Sequence, residues 1–312
     1  MSQFTRPEIQ ERSEGGRAPD ANPIAARGRV ASYYELTKPG IAGYVAILAG
    51  ACYYVASPSG AEILPAVHLL VGASLGTGGA LALNQYAERD ADAVMHRTRT
   101  RPLPSGRLLP REALAFGLLL LLSGVSYLGA LVGWLPAVLT AGSAAVYLWA
   151  YTPMKSRSYL ATVVGAVPGA VPALIGWTAA TGRIGLGGMV LFAIAFLWQL
   201  PHVLALAWLL QDDYERVGFF MLPSRDPSGV RIGRHMVYHT LSLLGFSVLP
   251  TYMGLTGSVY LVGTIVAGAL MLRFTVAAAA DMNRHRARRV FLYSLLYQPV
   301  LLVLMVVDAV RP

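Results

Sequence analysis

Apolar residues in this chain run in long blocks separated by short polar stretches, at 39–56, 64–87, 112–132, 135–151, 160–179, 187–210, 236–254, 258–280 and 290–308. A helix rises about 1.5 Å per residue, so about 20 apolar residues cross a bilayer core of about 30 Å. The pattern therefore predicts an all-α membrane protein, a bundle of about nine transmembrane helices in which 135–151 is the shortest. Residues 1–30 are rich in Arg, Glu, Pro, Gly and Ala without apolar periodicity. They predict a disordered cytoplasmic tail ahead of a single membrane domain at 31–312. That tail has no apolar run of about 7–15 residues such as a signal peptide needs.

Composition agrees: 55% of the 312 residues are hydrophobic and 13% charged, against about a quarter charged in soluble domains. The net charge of +9 invites a nucleic-acid reading until the cations are placed. With the N-terminus cytoplasmic, the tail, the cytoplasmic loops and their helix ends hold every Lys and Arg except Arg183 and Arg311. That bias is the positive-inside signature of an N-in, C-out protein. The expected partner is thus the lipid bilayer and not nucleic acid, with Arg284, Arg286, Arg288 and Arg289 placed to meet anionic headgroups. Cys52 is alone inside the first block, which excludes a disulfide framework and a CxxC metal site.

The connections are unequal. Those predicted outside are short, at 57–60, 133–134, 181–183 and 256–258, whereas 88–111 and 211–235 on the cytoplasmic side are long and polar. A polar active site is expected on that face. In both long connections a helix runs into an acidic, then basic loop and a return helix, a weak echo between the halves.

The first loop begins Asn84-Gln-Tyr-Ala-Glu88-Arg-Asp90-Ala-Asp92 and continues through Arg97 to Arg101-Pro102-Leu103. Asn84, Glu88 and Asp92 stand at i, i+4, i+8, which places them along one helix face. Oxygen ligands in a row beside arginines suit a diphosphate bridged by Mg²⁺, with Arg97 and Arg101 able to grip phosphate oxygens. A solvated, charge-balanced helix end satisfies the same spacing. Asp212-Asp213 stands at the start of the second loop, on the same side, and favours a paired site. In Tyr151-Thr-Pro-Met-Lys155-Ser-Arg157 the cations reach a diphosphate or merely anchor two helices, and the residues alone favour the anchor. His202, after Pro201, lies ten residues before Asp212, roughly 15 Å below the surface. It suits a haem-iron ligand, a base or a satisfied polar residue. His68 is in the outer half of its helix, and His239 is a weaker candidate.

These residues resemble the UbiA-type intramembrane prenyltransferase superfamily. The resemblance runs from about residue 33 to 308, and its specific part is Asn84-x3-Glu88-x3-Asp92-x2-Met95-x-Arg97-Thr98-x2-Arg101-Pro102-Leu103. Further segments resemble the branch that farnesylates protohaem: Leu36-Thr37-Lys38-Pro39, Tyr151-Thr152-x2-Lys155-x-Arg157, Gly176-Trp177, Pro201-His202, Asp212-Asp213-Tyr214 with Met221-Leu222-Pro223, and the end from Ser294 to Asp308. Three positions depart from that pattern. Glu88 replaces a common Asp, Ser156 interrupts an adjacent basic pair, and Ala161-Thr162 lacks a frequent Asn.

The resemblance implies a central cavity open to the cytoplasmic side and to lipid, with haem b and farnesyl diphosphate as substrates. It implies Mg²⁺ held by Asn84, Glu88, Asp92, Asp212 and Asp213. Arg97, Arg101, Lys155, Arg157, Tyr151 and His202 would then bind substrate, in a bacterial cytoplasmic (inner) membrane. Haem A synthase or cytochrome oxidase assembly factors are the protein partners it suggests. A related enzyme acting on a quinone precursor or chlorophyll-type ring is the near alternative. A secondary transporter is the distant one, and its expected mid-membrane acids are missing here.

Overall fold

A computed structural model describes residues 28–57, 60–220, 222 and 226–310. The expected tail up to residue 27 lies outside the described residues, as do Met221, Pro223 and Arg311. Among the described residues every regular element is helical, one isolated bridge between Thr256 and Ala309 aside. A short helix α1 (Arg29–Leu36) begins where the tail was expected to end. It leads into α2 (Pro39–Ala56), whose proline stands at the first position, where a missing N–H costs nothing. Next come α3 (Ile63–Ala87), the short α4 (Arg89–Val94) and α5 (Pro110–Leu131). Then α6 (Trp134–Ala145) runs through a π-helical stretch, Val146–Tyr151, into α7 (Thr152–Met154). The chain ends with α8 (Ala161–Thr181), α9 (Leu186–Leu209), α10 (Gln211–Arg216), α11 (Val230–Tyr252), α12 (Ser258–Ala280) and α13 (Arg284–Val307).

Seven of the described helices, rather than the nine blocks expected, are long and apolar enough to cross a membrane. The two others have visible reasons. Block 135–151 is divided between a 12-residue α6 and the π stretch, and α11 opens on Arg231, Arg234, His235 and His239. The bundle is apolar outward: Ile47, Leu119, Leu122, Val262, Leu296 and Val303 are all more than half exposed. Asn84, Glu88, Asp92, Lys155, Ser294 and Gln298 are buried. A surface of that kind belongs in lipid, where backbone groups must be satisfied within helices. The prolines inside α8, α9, α11 and α13 are tolerated on the same terms.

Small residues bring the helices together, as van der Waals contact and not a hydrophobic force drives association in lipid. On α3, Gly76 and Gly79 meet Gly124 and Leu121 of α5; a Cβ on Gly79 would stand 2.4 Å from the Leu121 nitrogen. Gly176 seats α8 on α2, where a Cβ would lie 2.0 Å from the Ala49 carbonyl oxygen. The adjacent Trp177 ring fills the space left by Gly187 and Gly188 of α9. The Gly176-Trp177 pair is therefore a three-helix joint and does not touch the polar site.

Gly176→Val should destabilise by about 1–3 kcal/mol, the usual cost of overpacking, read as a lower unfolding temperature in detergent. An unchanged temperature would mean that α2 and α8 do not meet there.

Candidate active site

The chain is helical up to Ala87, breaks at Glu88 and resumes as α4, yet the backbone ladder survives the break. The Glu88 N–H donates to Asn84 O (2.9 Å) and the Asp92 N–H to Glu88 O (2.8 Å). Asn84, Glu88 and Asp92 thus keep the one-face placement their spacing implied, across two helices. The same device recurs on the other side of the bundle. α9 breaks at Leu210 (φ −109°, ψ 15°) before α10, as α3 breaks at Glu88 (φ −97°, ψ 8°) before α4. The echo between the halves is a matching pair of backbone breaks.

Each buried acid in the first row is met by a cation from elsewhere. Lys155 Nζ donates to Glu88 Oε1 at 2.6 Å, and Arg101 Nη1 lies 2.7 Å from both oxygens of Asp92, which is fully buried. The loop that brings Arg101 round is itself folded, with Met95, Thr98 and Leu103 buried. Arg107 straps it to α1 through Glu35 (2.8 Å) and Ser32 (3.1 Å). Lys155 also sits 4.5 Å from the Tyr151 ring centre and 5.6 Å from that of Phe219, the range of cation–π attraction. Burial pulls its pKa down most, but Tyr151 and Glu88 outweigh it, and the net direction is upward.

A third cation was not anticipated from the residues. Lys38 Nζ reaches Asn84 Oδ1 at 3.4 Å, and it has no carboxylate partner among the described residues. Asn84 Oδ1 also accepts from the Tyr147 hydroxyl at 3.2 Å, and its amide donates to Thr152 at 3.1 Å. Burial of the ammonium, helped by repulsion from Arg101 and Lys155, draws the Lys38 pKa down to about 7. Its backbone is left-handed (φ 46°), the one such non-glycine among the described residues. A residue with a Cβ pays about 1–2 kcal/mol there. The sequence signal was Lys38-Pro39, with a proline starting α2 and a cation just ahead of it.

The remaining candidates divide. Asp213 Oδ1 accepts from the His96 backbone N–H at 3.3 Å, which joins α10 to the loop after α4. Asp212 is exposed, and so are Arg97 and Arg157; no side-chain contact draws these three into the cluster. Among the described residues no three acidic, histidine or cysteine side chains converge. Tyr151 and Tyr147 stack at 5.4 Å and line a mainly apolar cavity of about 230 Å³, with Ile41, Val45, Gly165 and Gln199. His202 is half-buried on α9, between the rings of Trp198 (5.4 Å) and Phe291 (4.9 Å), with Nδ1 2.8 Å from the Ser294 hydroxyl. His68 pairs with the Tyr127 hydroxyl at 2.7 Å, and His239 stacks on His235.

The cluster thus combines two buried carboxylates with three basic side chains, next to tyrosines that line a mainly apolar cavity. The sequence model of the UbiA prenyltransferase family matches residues 44–297. The chain belongs to that family. A "Protoheme IX farnesyltransferase" of Solibacter usitatus is 41% identical to this family member over 88% of the chain and 98% of the relative. One of Opitutus terrae is 40% identical over 91% and 96%. Among solved structures, a digeranylgeranylglyceryl phosphate synthase superposes with a TM-score of 0.74 at 16% identity, over 90% of this prenyltransferase-family chain and 98% of its own. A UbiA homologue of Archaeoglobus fulgidus bound to GPP and Mg²⁺ gives 0.59 at 14% identity, over 88% and 99%.

Lys38→Gly should keep or raise the unfolding temperature, because it relieves the backbone, while weakening inorganic diphosphate binding about tenfold or more, the worth of a charge-assisted hydrogen bond. Calorimetric titration checks it; unchanged affinity would place Lys38 outside the anion site.

Proposed function

We propose that the chain transfers a farnesyl group from farnesyl diphosphate to a vinyl group of protohaem IX, giving haem O and inorganic diphosphate. The observation that carries the reading is Lys38, held beside Asn84 with no carboxylate partner among the described residues, in a chain so similar to proteins named for this reaction. Lys155 and Arg101 are balanced by Glu88 and Asp92, and Lys38 is not. A diphosphate supplies the missing negative charge, and the cavity takes its apolar chain.

The donors present suit Mg²⁺, which prefers oxygen ligands and binds through one or two carboxylates plus substrate phosphates and water. No preformed three-acid cage is needed for that. Asn84, Glu88, Asp92, Asp212 and Asp213 would hold the metal, and it would neutralise charge on the departing diphosphate.

The chain's own groups do the rest. When the C1–O bond of farnesyl diphosphate breaks, negative charge grows on the leaving oxygen beside Lys38, Lys155 and Arg101. Preorganised stabilisation of that kind is usually the largest catalytic contribution. The faces of Tyr147 and Tyr151 border the place where the allylic cation is left, and aromatic faces attract cations. The apolar wall keeps water away from that cation until the vinyl carbon of haem attacks C1. Water then adds to the resulting porphyrin-side cation and loses a proton, leaving the hydroxyl of the product. Arg97 and Arg157, on the outside, serve at the rim. Nine crossings, a cytoplasmic N-terminus, an external C-terminus and a cavity mouth on the cytoplasmic side complete the reading, in the inner membrane. Haem A synthase or an oxidase assembly factor would receive the product.

Purified protein with haem b, farnesyl diphosphate and Mg²⁺ should yield a product heavier by a farnesyl group and a hydroxyl, and EDTA should abolish it. Prenylation of a 4-hydroxybenzoate-type acceptor with none of haem would overturn the substrate. Glu88→Gln should lower the rate at least a hundredfold, about 2.7 kcal/mol in barrier. A variant as fast as the parent would remove Glu88 from the metal set.

A further inference from the structure

α12 is long and apolar enough to cross a membrane, and it carries one charged residue, Arg273. The side chain is exposed and stands about two turns before the helix ends at Ala280, roughly 10 Å along the axis. It makes no hydrogen bond or ion pair among the described residues. Asp281, just past the helix, is held by Arg286 at 3.2 Å. An arginine that faces hydrocarbon is costly unless its head reaches the interface or an anion.

The packing of α12 on α13 gives Arg273 a companion. Tyr293 of α13 donates to the Ala267 carbonyl at 2.9 Å, and its ring meets that of Phe274 at 5.1 Å. Nearer the turn, Arg286 Nη1 donates to the Ala277 carbonyl at 2.9 Å. These residues mark the seam between the two helices. Positions three or four apart share a helix face. Arg273 is one turn from Ala277, and Arg289 lies between Arg286 and Tyr293, one turn from each. Both arginines therefore stand along the seam, from opposite walls, and both are exposed. Arg289 likewise has no protein partner among the described residues. Arg286, expected with its neighbours to meet headgroups, is instead occupied by Ala277 and Asp281.

Farther from the turn the same seam is flanked by apolar side chains open to lipid: Val266 and Leu270 on α12, Leu296 on α13. Two unpaired guanidinium groups at one end of an apolar groove match a phosphate carrying an acyl chain. Guanidinium forks grip phosphate oxygens through paired hydrogen bonds, and the depth of Arg273 suits a headgroup better than a soluble anion. The turn itself packs on Gly229 and Trp208 through Met282, so the groove opens at the end of the bundle where α9 passes into α10. None of its residues belongs to the cluster around Asn84, Glu88 and Asp92.

We infer that Arg273 and Arg289 clamp the phosphate of an anionic phospholipid, with an acyl chain lying along the α12–α13 groove over Leu270, Val266 and Leu296. The site is independent of the substrate proposed above.

Native mass spectrometry of the purified full chain tests it, in detergent with equal amounts of dioleoyl phosphatidylglycerol and dioleoyl phosphatidylcholine. The parent should retain phosphatidylglycerol in preference. Arg273→Gln with Arg289→Gln should lower that preference about tenfold or more, as expected for two basic side chains at a membrane surface. Arg284→Gln with Arg288→Gln removes the same charge from the same end and should leave the preference nearly unchanged. Equal losses in the two double variants would overturn the clamp in favour of diffuse attraction. Displacement of the lipid by excess inorganic phosphate would overturn the lipid as occupant. A parent dimer that becomes monomeric only in the Arg273 and Arg289 variant would assign the groove to a second copy instead. Each double variant should unfold at the parent's temperature in lipid-free detergent, and each single variant, Arg273→Gln or Arg289→Gln, should show part of the loss.

Discussion

A carboxylate within a membrane bundle is costly unless a cation meets it, and breaking such a pair leaves an unpaired charge worth several kcal/mol. Glu88 and Asp92 impose that constraint here, and much of the cytoplasmic-end architecture answers it. Lys155 must arrive from the turn after the π-helical stretch, and Arg101 must be folded back from the loop after α4. The buried anchors Met95, Thr98 and Leu103 and the strap from Arg107 to Glu35 are what hold that loop in place. π-helical turns often occur at functional sites. This one turns Tyr147 and Tyr151 toward the cavity while delivering Lys155 to Glu88.

The long elements were readable because a bilayer leaves one period to find: apolar runs of helix length. Blocks 39–56, 64–87 and 258–280 match α2, α3 and α12 within a residue. What failed was local. α1 is too short and polar to show as an apolar block, and the π stretch cannot be told from an α-helix by composition. The acid row was legible because i, i+4 spacing survives a break that keeps the ladder. Its partners were not. Lys155 joins Glu88 across 67 positions, and Lys38 joins Asn84 across 46. No periodicity reports contacts that distant. Arg157 and Arg97 looked equivalent to Lys155 and Arg101 in sequence; only the fold separates the two that meet carboxylates from the two that are exposed.

The two long cytoplasmic arms share a backbone break but not their chemistry. α3–α4 and α9–α10 share the same break, yet charge is distributed differently around them. In the first arm the acids are buried and neutralised by the protein's own cations. In the second, Asp212 is exposed and Asp213 has only a backbone N–H, with no cation in ion-pair contact among the described residues. The first arm is thus stable without ligand, and the second is held open to solvent. On the proposed function that asymmetry has a use. Diphosphate can compete for Lys155 and Arg101 only if something else neutralises Glu88 and Asp92 as it arrives, and a divalent cation entering with the diphosphate does that. The solvated acids of the second arm supply a partner for the same charge at no desolvation cost. On that reading the ion pairs that hold the cytoplasmic end together would also make substrate binding depend on metal. Removing Lys38, which has no carboxylate partner among the described residues, should weaken binding by a moderate factor. Removing either member of the Lys155–Glu88 or Arg101–Asp92 pair leaves a charge unmet and costs the fold as well as the site.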